Sequence, residues 1–326
     1  MIAYRLHQTD TPPRWDTLPR SGPSFVPGAG EVRVAIRACG LNFADLLMLQ
    51  GRYQERPELP AILGLEGAGV VEALGPGVTS PAIGTRVAVF GSAMLASHAT
   101  VPAIACLPIP DAMSWPEAAG FQISYATSHL ALVRRACLSP GERLLVTGAA
   151  GGVGLTAIEI GKLLGAEVIA SARGADKLEI CRAAGADHLI DADAPDMLDQ
   201  LRALGGIDVT YDSVGGDGFH SAFRATRPEG RLLLIGFAGG DLPRLAPNHM
   251  LVKNISVIGH YMGSYPRFNP QALSASLAEL LDWYRAGRLH PHISHILPHD
   301  RVAEGMDLLR SRRSTGKVVI EIPDNG

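Results

Sequence analysis

The sequence predicts an α/β protein of two domains, one rich in strands and one built on a doubly wound parallel sheet. Its 326 residues correspond to about two domains at roughly 150 residues each. Residues 1–113 consist mostly of short runs in which apolar and polar residues alternate, separated by Gly and Pro. From Arg143 onward, apolar strands alternate with helical segments, which is the pattern of a parallel sheet covered on both faces.

The composition indicates a globular protein whose partners are small molecules. Hydrophobic residues make up 47% of the chain and charged residues 19%, which excludes disorder. Lys and Arg total 29 against 32 Asp and Glu, so no basic excess favours nucleic acid or an anionic membrane. The charged opening residues and the lack of a run of about 18 apolar residues predict a soluble, cytoplasmic protein.

Neither the cysteines nor the histidines predict a metal site. The four cysteines form no CxxC pair, and buried reduced thiols are expected at Cys39, Cys106, Cys137 and Cys181. One group of histidines lies in a segment interrupted by proline. A solvated loop, rather than a set of metal ligands, is expected there for His290, His292, His295 and His299.

The N-terminal elements follow from alternation with a period of two. Val32, Val34 and Ile36 share one face of a predicted strand. On the same basis, strands are predicted over 2–6, 69–74 and 85–90. A short helix is predicted over 43–50. The segment from Thr11 to Gly30 contains five prolines and is predicted to be a loop.

A long helix is predicted to begin after Ser114, because Ser114 and Glu117 fit a capping box and Pro116 stands in the first turn. Strands then follow over 143–148, 167–172, 188–192, 207–213, 231–236, 255–259 and 317–322. Helices are predicted over 152–164, 176–183 and 273–287. We therefore expect one interrupted domain, 1–120 with 260–326, and one inserted α/β domain, 121–259.

The clearest functional motif is the glycine-rich sequence GAAGGVG at 148–154. It directly follows an apolar strand and opens a helix with apolar spacing, the context that makes such a motif specific. Glycines permit a tight turn and let backbone N–H groups approach a pyrophosphate, while the helix N-terminus favours the anion. The alternative is a turn that serves only the packing of helix on strand.

The strand after this motif favours NADPH over NADH. NAD sites usually end this strand with Asp or Glu, which accepts a hydrogen bond from the ribose 2′-hydroxyl, and the sequence has no acid there. Ser171 and Arg173 stand at this end, and Lys177 lies one turn into the following helix. A hydroxyl and two cations suit a 2′-phosphate. The alternative for Arg173 and Lys177 is an ordinary solvated helix start.

Several further segments stand in the order found in a known family. They are Gly40-Leu41-Asn42-Phe43-Ala44-Asp45, Gly51-Arg52-Tyr53, Leu63–Val71, Tyr211–Asp217, Gly230-Arg231-Leu232 and Gly316–Val319. With the glycine loop, they make almost the whole chain resemble the medium-chain dehydrogenase/reductase superfamily. The resemblance is in particular to its zinc-free quinone oxidoreductase branch, the zeta-crystallin-like enzymes.

This resemblance implies a GroES-like catalytic domain, an inserted Rossmann domain and a cleft between them that holds the nicotinamide. It also implies a homodimer that pairs the edge strands of two nucleotide domains, with 255–259 near the interface. Zinc enzymes of the superfamily place Cys where Asn42 stands and His where Leu65 stands. Their structural zinc needs four cysteines in roughly residues 90–115, where only Cys106 is present. A metal-independent enzyme is therefore expected.

Without a Lewis acid, hydride transfer from NADPH favours a quinone or an alkene conjugated to a carbonyl. The expected activity is quinone reduction. The alternatives are reduction of enones or 2-enoyl thioesters, and a non-catalytic NADPH-binding protein. Turnover is needed to separate the last alternative from the other two, because its glycine loop would look the same.

The resemblance also implies the site residues. The catalytic candidates are Asn42, whose amide would donate to a ribose or substrate oxygen, Asp45, which would orient its neighbours, and Tyr53, a proton donor or an aromatic wall. The implied cofactor contacts are Asn42, Thr127, Gly151, Gly152, Val153, Ser171, Arg173, Lys177, Phe237, Ala238 and Lys317. Tyr261 and Tyr265 are candidates to line the substrate cleft, with interface packing as the alternative.

Overall fold

The computed structural model describes residues 1–23 and 25–323 and divides into two compact units. The first unit comprises Met1–Ile123 with Pro291–Gly326, and the second comprises Ser124–His290. The boundary expected at residue 120 lies close to the observed one. The boundary expected at residue 260 is wrong, because the second unit continues to His290.

Strands and helices are numbered here in chain order. The strands are β1 (Ile2–Leu6), β2 (Arg14–Thr17), β3 (Glu31–Leu41), β4 (Ala61–Ile62), β5 (Glu66–Leu74), β6 (Arg86–Phe90), β7 (His98–Pro102), β8 (Cys106–Pro108), β9 (Arg143–Thr147), β10 (Glu167–Ala172), β11 (His188–Asp191), β12 (Ile207–Asp212), β13 (Thr226–Leu234), β14 (Ser256–Gly259), β15 (Ile293–Pro298) and β16 (Lys317–Glu321). The α-helices are α1 (Phe43–Leu49), α2 (Trp115–Ala119), α3 (Gln122–His129), α4 (Gly152–Leu163), α5 (Ala175–Ala183), α6 (Met197–Ala203), α7 (Gly216–Ala225), α8 (Pro247–Lys253), α9 (Tyr265–Phe268), α10 (Pro270–Arg285) and α11 (Val302–Arg310).

The first unit is rich in strands, as predicted. Its larger sheet has the order β15-β16-β3-β5-β6-β8, with β7 also paired to β3, and its smaller sheet has the order β2-β1-β4. Along β3, Val32, Val34 and Ile36 are at most 1% exposed, which confirms that they share a buried face. Burying one such side chain stabilises the fold by about 1.5–3 kcal/mol, so the alternation is enough to direct this face into the core.

The predicted loop over 11–30 is wrong at β2, which pairs antiparallel with β1. All five prolines lie outside β2, and β2 is the edge strand of its sheet, where neighbouring prolines are tolerated. The indole of Trp15 packs on Tyr4 with ring centroids 5.3 Å apart, and its Nε1 donates to the carbonyl of His299 at 3.0 Å. Tertiary packing of one aromatic residue thus orders a short strand within a proline-rich segment.

The histidine segment also contains a strand where a loop is expected. β15 pairs in parallel with β16 at the edge of the larger sheet, and His295 lies on it. Pro298 is the last residue of β15, so it interrupts no ladder. Among residues 1–23 and 25–323, no group of three or more His, Cys, Asp or Glu side chains is arranged to hold a metal ion.

The helix predicted after Ser114 begins as expected but ends early. Ser114 and Glu117 form the predicted capping box, in which the backbone N–H of Ser114 donates to Glu117 Oε2 at 2.9 Å. α2 ends at Ala119, and α3 begins at Gln122, so one long helix is wrong. The helix breaks at Gly120, where a Cβ would lie 3.1 Å from the side chain of Lys317.

The second unit contains six parallel strands in the order β11-β10-β9-β12-β13-β14. Each of these strands overlaps a predicted one, so the parallel α/β prediction is confirmed. The strand order reverses between β9 and β12, and in open α/β sheets ligands bind beyond the carboxyl ends of the strands at such a point. The residues that follow β9, β10 and β12 therefore lie where a ligand is expected to bind.

α10 belongs to the second unit because it packs on the end of α3. Ser276 Oγ lies 2.9 Å from Nδ1 of His129, and the ring of Trp283 lies 5.2 Å from the His129 ring. His129 is only 3% exposed, and burial lowers its pKa although Glu279 acts in the opposite direction. These contacts explain why the second unit extends beyond 260. In the part of the chain that the structure describes, no helix has both the length and the apolar character needed to cross a membrane.

Candidate cofactor-binding and catalytic sites

The candidate residues form one group in each unit, and the group in the second unit surrounds the glycine loop. Gly148 follows the last residue of β9 with a φ of +60°, a conformation that glycine adopts without strain. The backbone N–H of Ala149 donates to the carbonyl of Ser171 at 3.0 Å, which ties the loop to the end of β10. Gly151 is the N-cap of α4, and α4 begins at Gly152.

Close packing requires glycine at two of these positions, against backbone at Gly154 and against side chains at Gly148. A Cβ on Gly154 would lie 2.4 Å from the carbonyl oxygen of Gly148, and a Cβ on Gly148 would lie 2.7 Å from Ser213 Oγ. The first turn of α4 contains no acidic residue. The loop and the helix N-terminus therefore fit a pyrophosphate, which needs close backbone N–H groups and no competing carboxylate.

Asp212 organises the neighbouring loop, and sequence reasoning missed it. Its buried carboxylate accepts hydrogen bonds from the Thr147 hydroxyl and from the backbone N–H groups of Val214 and Gly215, the last at 3.0 Å. Burial raises the pKa of Asp212, while these donors act in the opposite direction. Ser213 Oγ in turn donates to the carbonyl of Thr147 at 3.1 Å. The sequence signal that could have identified Asp212 is an acid at the end of an apolar strand, because ligands bind beyond the carboxyl ends of the strands in a parallel sheet.

Ser171, Arg173 and Lys177 stand at the carboxyl end of β10, as predicted. Ser171 is 2% exposed, Arg173 is exposed, and Lys177 lies in the first turn of α5. Sequence reasoning missed Asp193, whose Oδ2 lies 2.7 Å from Nε of Arg173. A bound 2′-phosphate and the Asp193 carboxylate would compete for this guanidinium. Because both side chains are more than half exposed, the ion pair contributes little stability to the fold.

Phe237, Ala238 and Thr127 also belong to the second unit. The backbone N–H of Ala238 donates to the carbonyl of Ser213 at 3.1 Å, so this loop lies against the one that Asp212 organises. Phe237 is 37% exposed, and Thr127 in α3 is 8% exposed. The structure thus holds Phe237 and Ala238 beside the loop after β12, next to the glycine loop.

The two candidate tyrosines differ in their surroundings. Tyr265 is 3% exposed, and its ring packs on Phe268 and His260 with centroid separations of 4.7 and 5.9 Å. These contacts favour packing for Tyr265, and its role in lining a substrate cleft stays a prediction. Tyr261 lies over Gly263, where a Cβ would be 2.7 Å from the phenol oxygen.

In the first unit, a buried polar cluster joins Asn42 and Lys317 to Glu66. Lys317 Nζ donates to Glu66 Oε1 at 2.6 Å, to Asn42 Oδ1 at 2.8 Å and to the carbonyl of Leu41 at 2.9 Å. The other carboxylate oxygen of Glu66 accepts from the backbone N–H of Ile123 at 3.0 Å. The side chains of Lys317 and Glu66 are 7% and 1% exposed, so this ion pair is shielded from solvent.

The ammonium group of Lys317 has three N–H donors, and the three hydrogen bonds use them all. Lys317 thus holds the Asn42 side chain and neutralises Glu66. Its expected contact with a cofactor stays a prediction. Sequence reasoning missed Glu66, although an acid inside the apolar, glycine-rich segment 63–71 signals a buried charge that needs a partner.

Asp45 is fully buried, and its Oδ2 accepts from the backbone N–H of Asn42 at 2.8 Å, which caps α1. Burial raises its pKa to about 7, although the Asn42 N–H and the charge of Lys317 act in the opposite direction. Burial likewise raises the pKa of the Cys39 thiol well above its usual value. Because no part of Asp45 reaches the surface, the geometry favours the orienting role expected for it, and its place among the catalytic candidates stays a prediction.

The third catalytic candidate, Tyr53, lies in the segment between α1 and β4 and is half-buried. Its hydroxyl is the one phenol among the catalytic candidates. A tyrosine hydroxyl is a proton donor rather than a base at neutral pH. Tyr53 therefore stays a predicted donor, and a variant is needed to test it.

The residues of the first unit do not fit a catalytic zinc of the alcohol dehydrogenase type. Asn42 and Leu65 stand at the two ligand positions, and Asn42 Oδ1 already accepts from a lysine ammonium. Leu65 has no donor atom, and a cation beside Asn42 opposes a second cation by like-charge repulsion.

Comparisons with known proteins agree with both units. The model of the alcohol dehydrogenase GroES-like domain matches residues 28–111, and the model named zinc-binding dehydrogenase matches residues 152–282. The quinone oxidoreductase-like protein 2 homolog of Nematostella vectensis is 38% identical over 300 residues, which cover 90% of this chain and 82% of the relative. The corresponding bovine protein is 37% identical over 297 residues, 90% of this chain and 85% of the relative.

Among solved structures, the quinone oxidoreductase of Thermus thermophilus, also solved as a complex with NADPH, is 32% identical. It has a TM-score of 0.84, and the match covers 98% of this chain and all of that one. These matches show that the chain belongs to the medium-chain dehydrogenase/reductase superfamily, whose members are oxidoreductases. Within that superfamily, it is a member of the zinc-free quinone oxidoreductase branch. The predicted family and fold class are therefore confirmed.

Proposed function

We propose that this chain is a metal-independent NADPH:quinone oxidoreductase. The observation that carries the proposal is the lysine ammonium beside Asn42, at a position where zinc members of the superfamily hold a metal ligand. Without a Lewis acid to polarise a simple carbonyl, the acceptor must itself stabilise the charge that hydride transfer creates. A quinone does so by becoming aromatic. Membership of the quinone oxidoreductase branch supports the same acceptor.

The cofactor is NADPH, and the second unit supplies its main contacts. The backbone of Gly151, Gly152 and Val153 binds the pyrophosphate at the start of α4. Ser171, Arg173 and Lys177 bind the 2′-phosphate. The NADPH-bound Thermus relative supports this choice. Thr127, Phe237 and Ala238 contact the nicotinamide end, and Asn42 is a further cofactor contact.

The bound NADPH supplies the hydride, and the chain supplies orientation and a proton source. Reduction of a quinone to a hydroquinone takes one hydride and one proton, and solvent can supply that proton to the hydroquinone monoanion. A tyrosine hydroxyl stabilises the developing oxyanion by donating a hydrogen bond, and we assign this role to Tyr53. Replacement by Phe is expected to lower kcat with little change in KM for NADPH.

We also propose a homodimer formed through the edge strand β14. This strand ends its sheet and pairs only with β13 among the described strands. Leu251 and Val252, on the preceding helix α8, are each 78% exposed. Changing both to Glu leaves the core intact, so sedimentation should show monomers in place of dimers. A dimer that survives both changes places the interface elsewhere.

The proposed activity is tested by measuring oxidation of NADPH and NADH against a panel of acceptors, together with metal analysis. The panel contains 1,4-benzoquinone, 9,10-phenanthrenequinone, a 2-alkenal and crotonyl-CoA. Quinone turnover with NADPH is the expected result. Turnover confined to the enal or the thioester makes the protein an enoyl reductase instead. NADPH binding without turnover of any acceptor favours a non-catalytic role.

A further inference from the structure

We propose that Glu66 and Lys317 are positioning residues that lock the side-chain amide of Asn42, so that Asn42 meets the cofactor only as a hydrogen-bond acceptor. The inference rests on the proposed function, because it takes Asn42 as a contact of bound NADPH. It assigns new roles to Glu66 and Lys317, and it reverses the donor role expected for Asn42.

The neighbours of Asn42 determine which way its amide points. A lysine ammonium can only donate, so the atom that faces Lys317 Nζ at 2.8 Å is the oxygen, Oδ1. A carboxylate and a carbonyl can only accept, so the atom that faces Glu66 Oε1 at 3.1 Å and the carbonyl of Gly40 at 3.2 Å is Nδ2. Turning the amide over would set a donor against a donor and an acceptor against two acceptors.

The same contacts leave the Asn42 side chain able only to accept a further hydrogen bond. Its two Nδ2 hydrogens are used by Glu66 and Gly40, and one lone pair of Oδ1 is used by Lys317. The second lone pair of Oδ1 is what these contacts leave for a ligand. Asn42 therefore accepts from a hydroxyl or an amide N–H of NADPH, and it donates nothing to a substrate oxygen.

The fold holds the three side chains in place through the sheet. Lys317 begins β16, whose register sets Val318 against Leu41 at the end of β3. Glu66 begins β5, where it pairs with Gly40 of β3. β16 and β5 both pair with β3, and they thus bring Lys317 and Glu66 to Asn42, the residue that follows β3. A buried ion pair can specify one arrangement rather than add stability, and the lock on Asn42 is such a case.

The test is a double-mutant cycle on NADPH affinity, measured by calorimetry without any acceptor. The lock is removed by Glu66→Gln/Lys317→Met, a pair of changes that removes both charges of the ion pair together. In the natural protein, Asn42→Ala should raise the Kd for NADPH about fivefold, the effect of losing one hydrogen bond. In the unlocked protein, the same change should raise the Kd less than twofold, because Asn42 is already free to turn.

A matched control is the pair Arg5→Met/Asp16→Asn, which removes a half-buried ion pair elsewhere in the first unit. This pair should leave both the Kd and the effect of Asn42→Ala unchanged. Equal effects of Asn42→Ala in natural and unlocked proteins overturn the inference, since a merely structural ion pair gives additive losses. Failure of the proposed function appears separately, as absence of quinone turnover in a protein that still binds NADPH.

A second measurement needs no variant of the ion pair and so does not depend on its folding. In the unliganded protein, the Asn42 side-chain amide signal, identified by its loss in Asn42→Ala, should exchange its hydrogens slowly with solvent. Addition of NADPH should leave that exchange slow, because both hydrogens stay bonded to Glu66 and Gly40. Fast exchange of either hydrogen, before or after NADPH is added, shows that the amide is not locked and overturns the inference.

Discussion

Replacing Asp45 by Asn should make the first unit more resistant to urea at alkaline pH than at acidic pH, relative to the natural protein. The carboxyl group is fully buried, and burial raises its pKa from 3.8 to about 7. The folded-state pKa thus lies above the unfolded one, and between these two values the folded protein holds more protons than the unfolded chain. Stability must therefore fall as pH rises through that window.

The size of the effect follows from the two pKa values. A shift of about 3 units corresponds to about 4 kcal/mol at 1.36 kcal/mol per unit. About 1 to 2 kcal/mol of this loss in the free energy of unfolding is already present at pH 5, so about 3 kcal/mol of it develops between pH 5 and pH 8. An Asn side chain has the same shape, carries no charge and still accepts from the Asn42 N–H, so it escapes the whole pH-dependent cost.

The assay is urea unfolding at pH 5, 6, 7 and 8, followed by tryptophan fluorescence. Both proteins carry Trp283→Phe, which confines the signal to Trp15 and Trp115 of the first unit. The exposed Asp111, changed to Asn, serves as the control and should show no trend with pH. The difference in free energy of unfolding between Asp45→Asn and the natural protein is compared across this pH range. A change of no more than about 0.5 kcal/mol from pH 5 to pH 8 refutes the reasoning that a buried Asp45 becomes charged.

Three further outcomes are expected. Lys177→Glu should weaken NADPH binding far more than NADH binding in direct titrations, because it sets an anion beside the 2′-phosphate. Arg182→Glu, in the last turn of the same helix, is the control and should affect the binding of neither cofactor. Equal losses of affinity for both cofactors contradict the assignment of the 2′-phosphate site. Gly154→Ala should abolish NADPH binding and lower the free energy of unfolding by about 3 kcal/mol in thermal unfolding, because its Cβ would lie 2.4 Å from a backbone oxygen. Gly218→Ala is the control and should be harmless, because a Cβ there has nothing within 4 Å. Dialysis against a chelator should leave turnover unchanged, and activity that is lost and then restored by zinc would overturn the metal-independent mechanism.

Much of the second unit could be predicted from the sequence because its signals are local. A strand that leads into a glycine loop and a helix is encoded by consecutive residues, and the close approach at Gly154 admits no other side chain. The short strand β2 escaped prediction because it depends on Trp15 packing against Tyr4 and His299, which lie far from it in the chain or on another strand. The end of the second unit was misplaced for the same reason, since contacts to His129 decide where α10 lies.

The sequence by itself determined the α/β class, the family and the residues around the glycine loop and the end of β10. Only the tertiary structure decided what the first unit does with its polar side chains. Glu66 and Lys317 are 251 residues apart in the chain, yet their ion pair is within hydrogen-bond distance. Alternation of apolar residues determines which face of a strand is buried, but the partner of a buried charge depends on strand register and sheet order. That register sets the Lys317 ammonium group against Asn42 and Glu66.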